Sequence, residues 1–287
     1  MQANTDLQDS RLAHAWAELH NYAVAGNPLH ADAYRLAFAD PEFMLRRETR
    51  GIRFQLELLK PDLDQTAQGI EHTVVVYGSA RFISPEAAEQ QLADARASGD
   101  TERIARAERA VKNAYYYDQA RQFARLVAEY SESRPPAERL YICTGGGPGI
   151  MEAANRGAHD AGALNVGLNI SLPHEQSGNR FISPSLSFKF HYFALRKMHF
   201  MMRAKALVLF PGGFGTLDEL FEVLTLVQTG KAKAAPIVLF GSEFWKRLIN
   251  FDALVEQGTI SQGDLKLFHY CDDPAEAWAI VRAFYEL

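Results

Sequence analysis

The sequence predicts an α/β fold in which helices cover a doubly wound, mainly parallel β-sheet. Short apolar runs without charge recur along the chain, and such runs are typical of strands buried on both faces of a parallel sheet. Segments with the apolar spacing of helices separate these runs, and this alternation requires parallel pairing through right-handed crossovers. Two of the runs end in glycine-rich turns that open into a helix, at residues 144–149 and 211–215.

The first part of the chain, residues 1–72, is polar and is expected to form an N-terminal helical extension. Leu12, Trp16 and Leu19 stand at helical spacing, and a second helix is expected over about residues 40–59. One large α/β domain is then expected to follow this extension.

That domain is expected to occupy residues 73–287 and to begin with a strand, because residues 73–76 form a β-branched run. The strand is followed by the polar turn Gly78-Ser79-Ala80-Arg81. Ser84 is then a candidate N-cap and Pro85 a candidate first residue of a helix.

A stretch rich in alanine and charge follows, over residues 86–109, with almost no large apolar residue. We interpret it as an exposed helical pair, an insertion that extends over about residues 86–113. Residues 115–130 return to the pattern of an amphipathic helix.

The remaining elements continue the alternation of strands and helices and complete a Rossmann-like sheet. Strands are expected at residues 140–143, 165–170, 206–210, 236–240 and 265–270, and helices at 150–161, 195–202, 217–229, 244–256 and 274–285.

Charge and composition exclude several classes of function. The formal net charge of -5 gives no general basic field for nucleic acid, and no apolar run approaches the length of a membrane helix. The two cysteines, Cys143 and Cys271, have no metal-like spacing to a histidine, and the first residues carry no targeting signal. We therefore expect a cytoplasmic protein without nucleic-acid or membrane partners.

The strand, turn and helix start over residues 206–220 have the architecture of a phosphate site. Gly212, Gly213 and Gly215 free backbone N–H groups at the positive end of a helix, which favours an anion. Thr216 and Glu219 have the T-x-x-E spacing of a capping box. A capping role explains Glu219 by itself, but a carboxylate fixed there is also well placed to act on a ligand bound next to the phosphate.

The second turn, Gly145-Gly146-Gly147-Pro148-Gly149, is expected to lie in the same crevice, because ligands in such sheets bind outside the carboxyl ends of the strands. A proline interrupts its glycines and Asn169 stands where a ribose-binding acid is expected, so we discount a dinucleotide site. Neither turn is followed by the lysine of a P-loop. The remaining candidate ligand is one with a single phosphate, such as a nucleoside monophosphate.

Several motifs in one order resemble those of the Lonely Guy (LOG) cytokinin riboside 5'-monophosphate phosphoribohydrolases, often labelled lysine decarboxylases. The family pattern P-G-G-x-G-T-x-x-E is present as residues 211–219, and R-K-x-x-(M/F) as residues 196–200. The segments 145–155, 167–176 and 191–193 resemble the longer bacterial, type II branch. The resemblance covers roughly residues 74–242.

The resemblance implies hydrolysis of the N-glycosidic bond of a nucleoside 5'-monophosphate, such as AMP or N6-prenyl-AMP. Arg196 and Glu219 would be the catalytic pair, although the spacing of Arg196-Lys197 alone also fits an exposed pair on a helix. The family motifs would place the nucleotide against Lys197, Gly213, Gly215, Thr216 and Thr225.

Further ligand contacts are expected from Ser79, Arg81 and, in the polar loop, Glu175. No metal cluster is evident, so we expect chemistry without metal or cofactor, and the family resemblance favours a homo-oligomer. A nucleotide sensor or carrier without turnover remains the alternative. Amino-acid decarboxylation is set aside because no lysine has the context of a pyridoxal phosphate site.

Overall fold

The computed structural model describes residues 36–172 and 177–287, which fall into two compact units, Met1–Lys60 and Pro61–Leu287. The helix predicted around Leu12 and Trp16 lies outside the described residues. The division of the chain at residue 72 and the limits of the insertion at 86–113 stay predictions.

The first unit contains a short 3-10 helix, Ala37–Ala39, helix α1, Pro41–Leu45, and the start of helix α2, Arg50–Ala67. The prediction of one helix over about residues 40–59 is therefore wrong. Arg46 has an extended backbone after α1, with φ -62° and ψ 155°, and Thr49 Oγ1 lies 2.9 Å from its carbonyl oxygen. This local side-chain contact competes with continuation of the helix.

The second unit is built on a sheet of seven strands, all parallel, in the order β4-β3-β2-β1-β5-β6-β7. The predicted doubly wound α/β fold is thus confirmed. The strands are β1 His72–Tyr77, β2 Leu140–Thr144, β3 Asn165–Ile170, β4 Ser187–Phe190, β5 Ala204–Leu209, β6 Ile237–Phe240 and β7 Phe268–Cys271. Strand order reverses between β1 and β5, where such sheets bind ligands.

Helices connect successive strands. They are α3 Pro85–Ser98, α4 Thr101–Glu132, α5 Ile150–Asp160, α6 Phe193–Met202, α7 Phe214–Gln228, α8 Ser242–Leu248, α9 Phe251–Glu256 and α10 Pro274–Tyr285, with 3-10 helices at Pro136–Glu138, Pro184–Leu186 and Gln262–Leu267. The predicted N-terminus of α3 is confirmed, since Ser84 accepts a hydrogen bond from Ala87 N–H and Pro85 is the first helical residue.

Helices α3 and α4 form a hairpin that is less exposed than its composition indicates. Ala88 and Ala95 of α3 and Ala107 and Ala114 of α4 are all buried. Alanine buries little area but lets helices approach closely, so the scarcity of large apolar residues was misleading. Helix α4 is also one element of 32 residues, not a hairpin arm followed by a separate helix.

The main core lies where α4, α5 and α10 pack on the centre of the sheet. Its largest side chains include Tyr117 and Phe123 from α4 and Trp278 from α10, packed over Val74 and Val76 of β1. The buried side chains of Val74 and Val76 hold β1 in place, and they thereby fix the position of the turn at residues 78–81 that follows it.

No helix within residues 36–172 and 177–287 is both long and apolar enough to cross a membrane.

Candidate functional site

The turns that follow β1, β2 and β5 meet at the carboxyl edge of the sheet. Ser79 joins them through its backbone: its N–H donates to the Pro211 carbonyl, and its own carbonyl accepts from Ile150 N–H, both at 3.0 Å. These turns are therefore in direct contact, as a shared crevice requires, and their role in binding a ligand stays a prediction. The crevice lies at the point where strand order reverses, as expected for a doubly wound sheet.

Helix α7 begins earlier than the T-x-x-E pattern predicts, and the predicted capping box is wrong. Gly213 is the N-cap, no side chain caps the helix, and Thr216 already lies in its first turn, against Gly212. Glu219 therefore does not cap this helix. Among the residues described here, no backbone hydrogen bond uses the N–H groups of residues 213–216. The positive end of α7 is open for an anion, as expected.

The turn at residues 145–149 is more closed than the turn before α7. The Thr144 hydroxyl accepts from Gly146 N–H at 3.0 Å, and Ile150 N–H is already bonded to Ser79. The Asn179 side chain donates to the Gly146 and Gly147 carbonyls at 3.2 and 3.1 Å. Fewer backbone N–H groups are therefore open to an anion in this turn than at the N-terminus of α7.

Gly149 makes the closest approach between two turns and gives a prediction for stability. Its φ is +73°, and a Cβ there would overlap the Ser79 carbonyl oxygen, whereas Gly162 has φ +74° with open space around it. We expect Gly149→Ala to lower the free energy of unfolding by more than Gly162→Ala, which carries only the cost of positive φ, about 1 kcal/mol. Urea unfolding measures both, and equal losses would contradict the close packing of the turns.

Arg196, on α6, reaches across the ends of β2 and β3. Its Nε donates to the Leu168 carbonyl at 2.7 Å, its terminal nitrogen lies 3.4 Å from the Gly145 carbonyl oxygen, and its guanidinium packs against the Gly145 Cα. The guanidinium also lies 5.1 Å from the centre of the Phe200 ring. A planar group fixed on several sides in this way is preorganised, so Arg196 is not an ordinary exposed member of a helical pair.

Glu219 is a buried carboxylate beside this arginine. It is 7% exposed, and burial raises its pKa to about 7, although the charges of Arg196 and Lys197 act in the opposite direction. Thr216 is also 7% exposed and precedes Glu219 by three residues, so the two lie on one face of α7. A carboxylate with its pKa near neutrality in a crevice is a candidate for acid–base or electrostatic catalysis.

Lys197 forms ion pairs with α7, whereas the adjacent Arg196 contacts the ends of β2 and β3. Its Nζ lies 2.8 Å from Asp218 and 2.9 Å from Glu222, both on α7. These ion pairs tie α6 to α7 and thereby fix Arg196 relative to Glu219. Thr225 is exposed and lies nine residues beyond Thr216, about 13 Å along the helix, so one phosphate cannot contact both.

The remaining predicted site residues fall at different distances from the crevice. The Ser79 hydroxyl accepts from Arg81 N–H at 3.1 Å, and the Arg81 side chain is exposed at the rim. Glu175 lies outside the described residues, so its predicted role stays a prediction. Burial raises the pKa of the Cys143 thiol well above its usual range, so the thiol stays protonated and is a poor nucleophile. The sequence did not indicate a cysteine nucleophile either.

Sequence reasoning missed two contributors to the site, Tyr77 and Asn179. Tyr77 is buried at the end of β1. From the sequence it could be interpreted only as one residue of an apolar strand. Asn179 also bonds Asn155, which in turn contacts Thr144 and Asn165 in a buried amide network. The sequence offered one sign of this network, Asn155, which is a polar residue between the apolar positions of α5. Within the described residues, no cluster of three or more His, Cys, Asp or Glu is arranged for a metal ion.

Comparison with known proteins relates the chain to curated enzymes. A family model described as "Possible lysine decarboxylase" matches residues 151–281. The chain is 30% identical over 135 residues to a probable cytokinin riboside 5'-monophosphate phosphoribohydrolase of Oryza sativa subsp. japonica, covering 46% of this chain and 57% of the relative. It is 31% identical over 120 residues to a cytokinin riboside 5'-monophosphate phosphoribohydrolase of Arabidopsis thaliana, covering 41% and 54%. The chain thus spans little more than half the length of these relatives.

Two solved structures are among those found to be similar to part of this chain. The molybdenum cofactor binding protein from Rippkaea orientalis has a TM-score of 0.42 and 18% identity, over 59% of this chain and 88% of that one. The Moco carrier protein from Chlamydomonas reinhardtii has a TM-score of 0.43 and 21% identity, over 76% and 99%. The family model matches the segment that contains Arg196 and Glu219, and the curated relatives agree with the resemblance of this chain to the LOG family.

Proposed function

We propose that the protein hydrolyses the N-glycosidic bond of a nucleoside 5'-monophosphate, releasing the free base and ribose 5-phosphate. The observation that carries this proposal is the buried Glu219 carboxylate one turn into α7, beside Arg196 and beyond an open helix N-terminus. The names of the curated relatives support the same reaction class.

The proposed chemistry follows from the charge that develops on the sugar. In the transition state positive charge builds on the ribose ring, and an ionised carboxylate beside it stabilises that charge or activates water. The water oxygen bonds to the anomeric carbon, the bond to the base nitrogen breaks, and the proton lost by water ends on the base. The α7 terminus holds the phosphate, and the Arg196 fork orients the ribose.

The direct test is incubation with AMP and with N6-isopentenyl-AMP, followed by chromatography of the base and the sugar phosphate. Release of base and ribose 5-phosphate in equal amounts is the expected result. Tight nucleotide binding without release, over long incubation, would instead support a nucleotide sensor or carrier. The ratio of the two rates reports the base preference.

We expect the rate to depend on pH through Glu219. Its pKa is raised to about 7 and the ionised form is the one that acts, so kcat/KM should fall about tenfold for each pH unit below 7. A pH–rate profile between pH 5 and 9 measures this, with ionic strength held constant. A rate that increases as the pH falls would mean that the protonated carboxyl is the active form.

We also propose that the protein assembles as a homo-oligomer. Phe193, Phe214 and Phe221 are exposed, Phe214 by 93%, and the last two line an open groove of about 600 Å³ between α6 and α7. Exposed aromatic side chains grouped in this way are typical of an interaction surface. Light scattering of the purified protein gives the mass, and a monomer at micromolar concentration would contradict the proposal.

A further inference from the structure

Tyr77 carries a buried hydroxyl that has no hydrogen-bond partner among the described residues. The residue is 5% exposed at the end of the central strand β1, and its hydroxyl oxygen makes no hydrogen bond to any residue in 36–172 or 177–287. Buried hydroxyls are normally satisfied, so such a group in a native fold calls for an explanation. A phenylalanine at this position would fill the same space without the free-energy cost of burying a hydroxyl that makes no hydrogen bond.

The hydroxyl lies among the groups of the candidate site. The Tyr77 ring packs edge-on against Phe200, with centroids 5.0 Å apart, and Arg196 lies over the same Phe200 ring. Backbone contacts hold Tyr77 in place, since Phe210 N–H donates to its carbonyl at 2.9 Å immediately before the turn that opens α7. The ring therefore lies between the end of β1 and α6, next to the turn that opens α7.

The surrounding charges identify the acceptor. Burial and then the Glu219 charge raise the pKa of the Tyr77 hydroxyl. The titratable and charged groups that face Tyr77 or Glu219 are Arg196 and Lys197 from α6, Asp218 and Glu222 from α7, and Cys143 from β2. The two basic groups cannot accept a hydrogen bond, the Cys143 thiol is a weak acceptor, and Asp218 and Glu222 are engaged by Lys197. Among the acidic side chains, Glu219 has the largest effect on the pKa of the Tyr77 hydroxyl and does not belong to the ion pairs of Lys197, so we take it as the acceptor.

We infer that Tyr77 is a positioning residue of the site, whose hydroxyl donates to the Glu219 carboxylate and holds it ionised and oriented toward the ribose. This inference rests on the proposed function. A donor to the charged form of a carboxyl favours that form, so Tyr77 opposes the effect of burial on Glu219. The structure has no hydrogen bond between the two side chains, so the inference requires the Glu219 carboxylate to rotate toward the Tyr77 hydroxyl when the nucleotide binds.

The test compares Tyr77→Phe with Tyr285→Phe. The Tyr285 hydroxyl donates to the Lys205 carbonyl at 2.7 Å, so its removal reports the loss of an ordinary structural hydrogen bond. We expect Tyr77→Phe to keep or raise the urea midpoint and to lower kcat about tenfold at pH 6, with KM little changed. We expect Tyr285→Phe to lower the midpoint and leave the pH–rate profile unchanged.

A second readout does not depend on turnover. In protein labelled with 13C at glutamate carboxyls, the Glu219 signal is assigned by its absence in Glu219→Gln and titrated with and without ribose 5-phosphate. We expect Glu219 in Tyr77→Phe to titrate about one pH unit higher than in the wild-type chain. Identical Glu219 titrations in both chains under both conditions would overturn the inference. Failure of the wild-type chain to release base from AMP would overturn the proposed function alone.

Discussion

Glu219→Gln is expected to reduce the rate of base release about a hundredfold or more while nucleotide binding is retained. The substitution keeps the shape of the side chain and removes the charge that is proposed to stabilise the ribose transition state, and loss of one preorganised electrostatic group typically has an effect of this size. Single-turnover assays with AMP measure the chemical step, and calorimetry of AMP binding measures the affinity. Because the lost interaction belongs to the transition state, kcat should fall and KM should change little.

Stability provides an internal check that the Gln variant is folded. The folded-state pKa of Glu219 is raised from its ordinary value of 4.5 to about 7, so the protonated carboxyl is favoured in the folded chain. This contribution to stability is complete below pH 4.5 and is lost as the pH rises through 7. Glu219→Gln should therefore be more stable than the wild-type chain at pH 8, by roughly 1–3 kcal/mol, and not at pH 4.5.

The exposed pair on α4 supplies the control for this experiment. Glu129 forms an ion pair with Arg125 at 2.6 Å near the C-terminal end of α4, and exposed pairs of this kind contribute little to stability. Glu129→Gln should leave both rate and stability nearly unchanged. Full activity in Glu219→Gln would show that Glu219 is not catalytic. A Glu219→Gln variant that is less stable than the wild-type chain at pH 8 would contradict the raised pKa of the buried Glu219 carboxyl.

Most strands could be predicted because buried parallel strands are defined by local composition. β4 was not predicted, and the strand predicted at residues 265–270 is wrong in its first half, since a 3-10 helix continues to Leu267 before β7 begins at Phe268. β1 and β3 have the predicted limits to within a residue, and the order of strands and helices follows from the alternation of apolar patterns. Helix ends were less predictable. Thr216 and Glu219 have the spacing of a capping box, but α7 begins at Phe214 because the glycine turn supplies its own N-cap at Gly213.

The candidate site was only partly predictable, since local spacing does not fix contacts between distant segments. The sequence placed Arg196 and Lys197 side by side in one motif, yet Arg196 reaches the ends of β2 and β3 while Lys197 pairs with acids of α7. Burial of Glu219, which gives the carboxylate its raised pKa, depends on the packing of α7 against the sheet. The unpartnered hydroxyl of Tyr77 likewise exists only in the folded chain.

Arg196→Ala is expected to reduce the rate about a hundredfold, and Arg196→Lys should restore little of it. The guanidinium donates to the Leu168 carbonyl and lies against Gly145, so its plane is set before the nucleotide binds. Lysine keeps the charge but has neither the planar fork nor the reach of Nε to that carbonyl. Steady-state rates of base release measure both variants, with Arg125→Ala, from the exposed pair on α4, as the control expected to keep full activity.

The same variant also separates two roles for the arginine. The open N–H groups of α7 are the proposed phosphate site, whereas Arg196 lies over the ends of β2 and β3, so we expect it to act on the ribose. In that case Arg196→Ala should lower kcat/KM for AMP and for adenosine, which lacks the phosphate, by the same factor. A much larger loss with AMP would assign Arg196 to the phosphate instead, and an unchanged rate with both would remove it from the catalytic pair. Equal losses would leave the helix terminus as the phosphate anchor and make Arg196 and Glu219 two groups that act on one sugar.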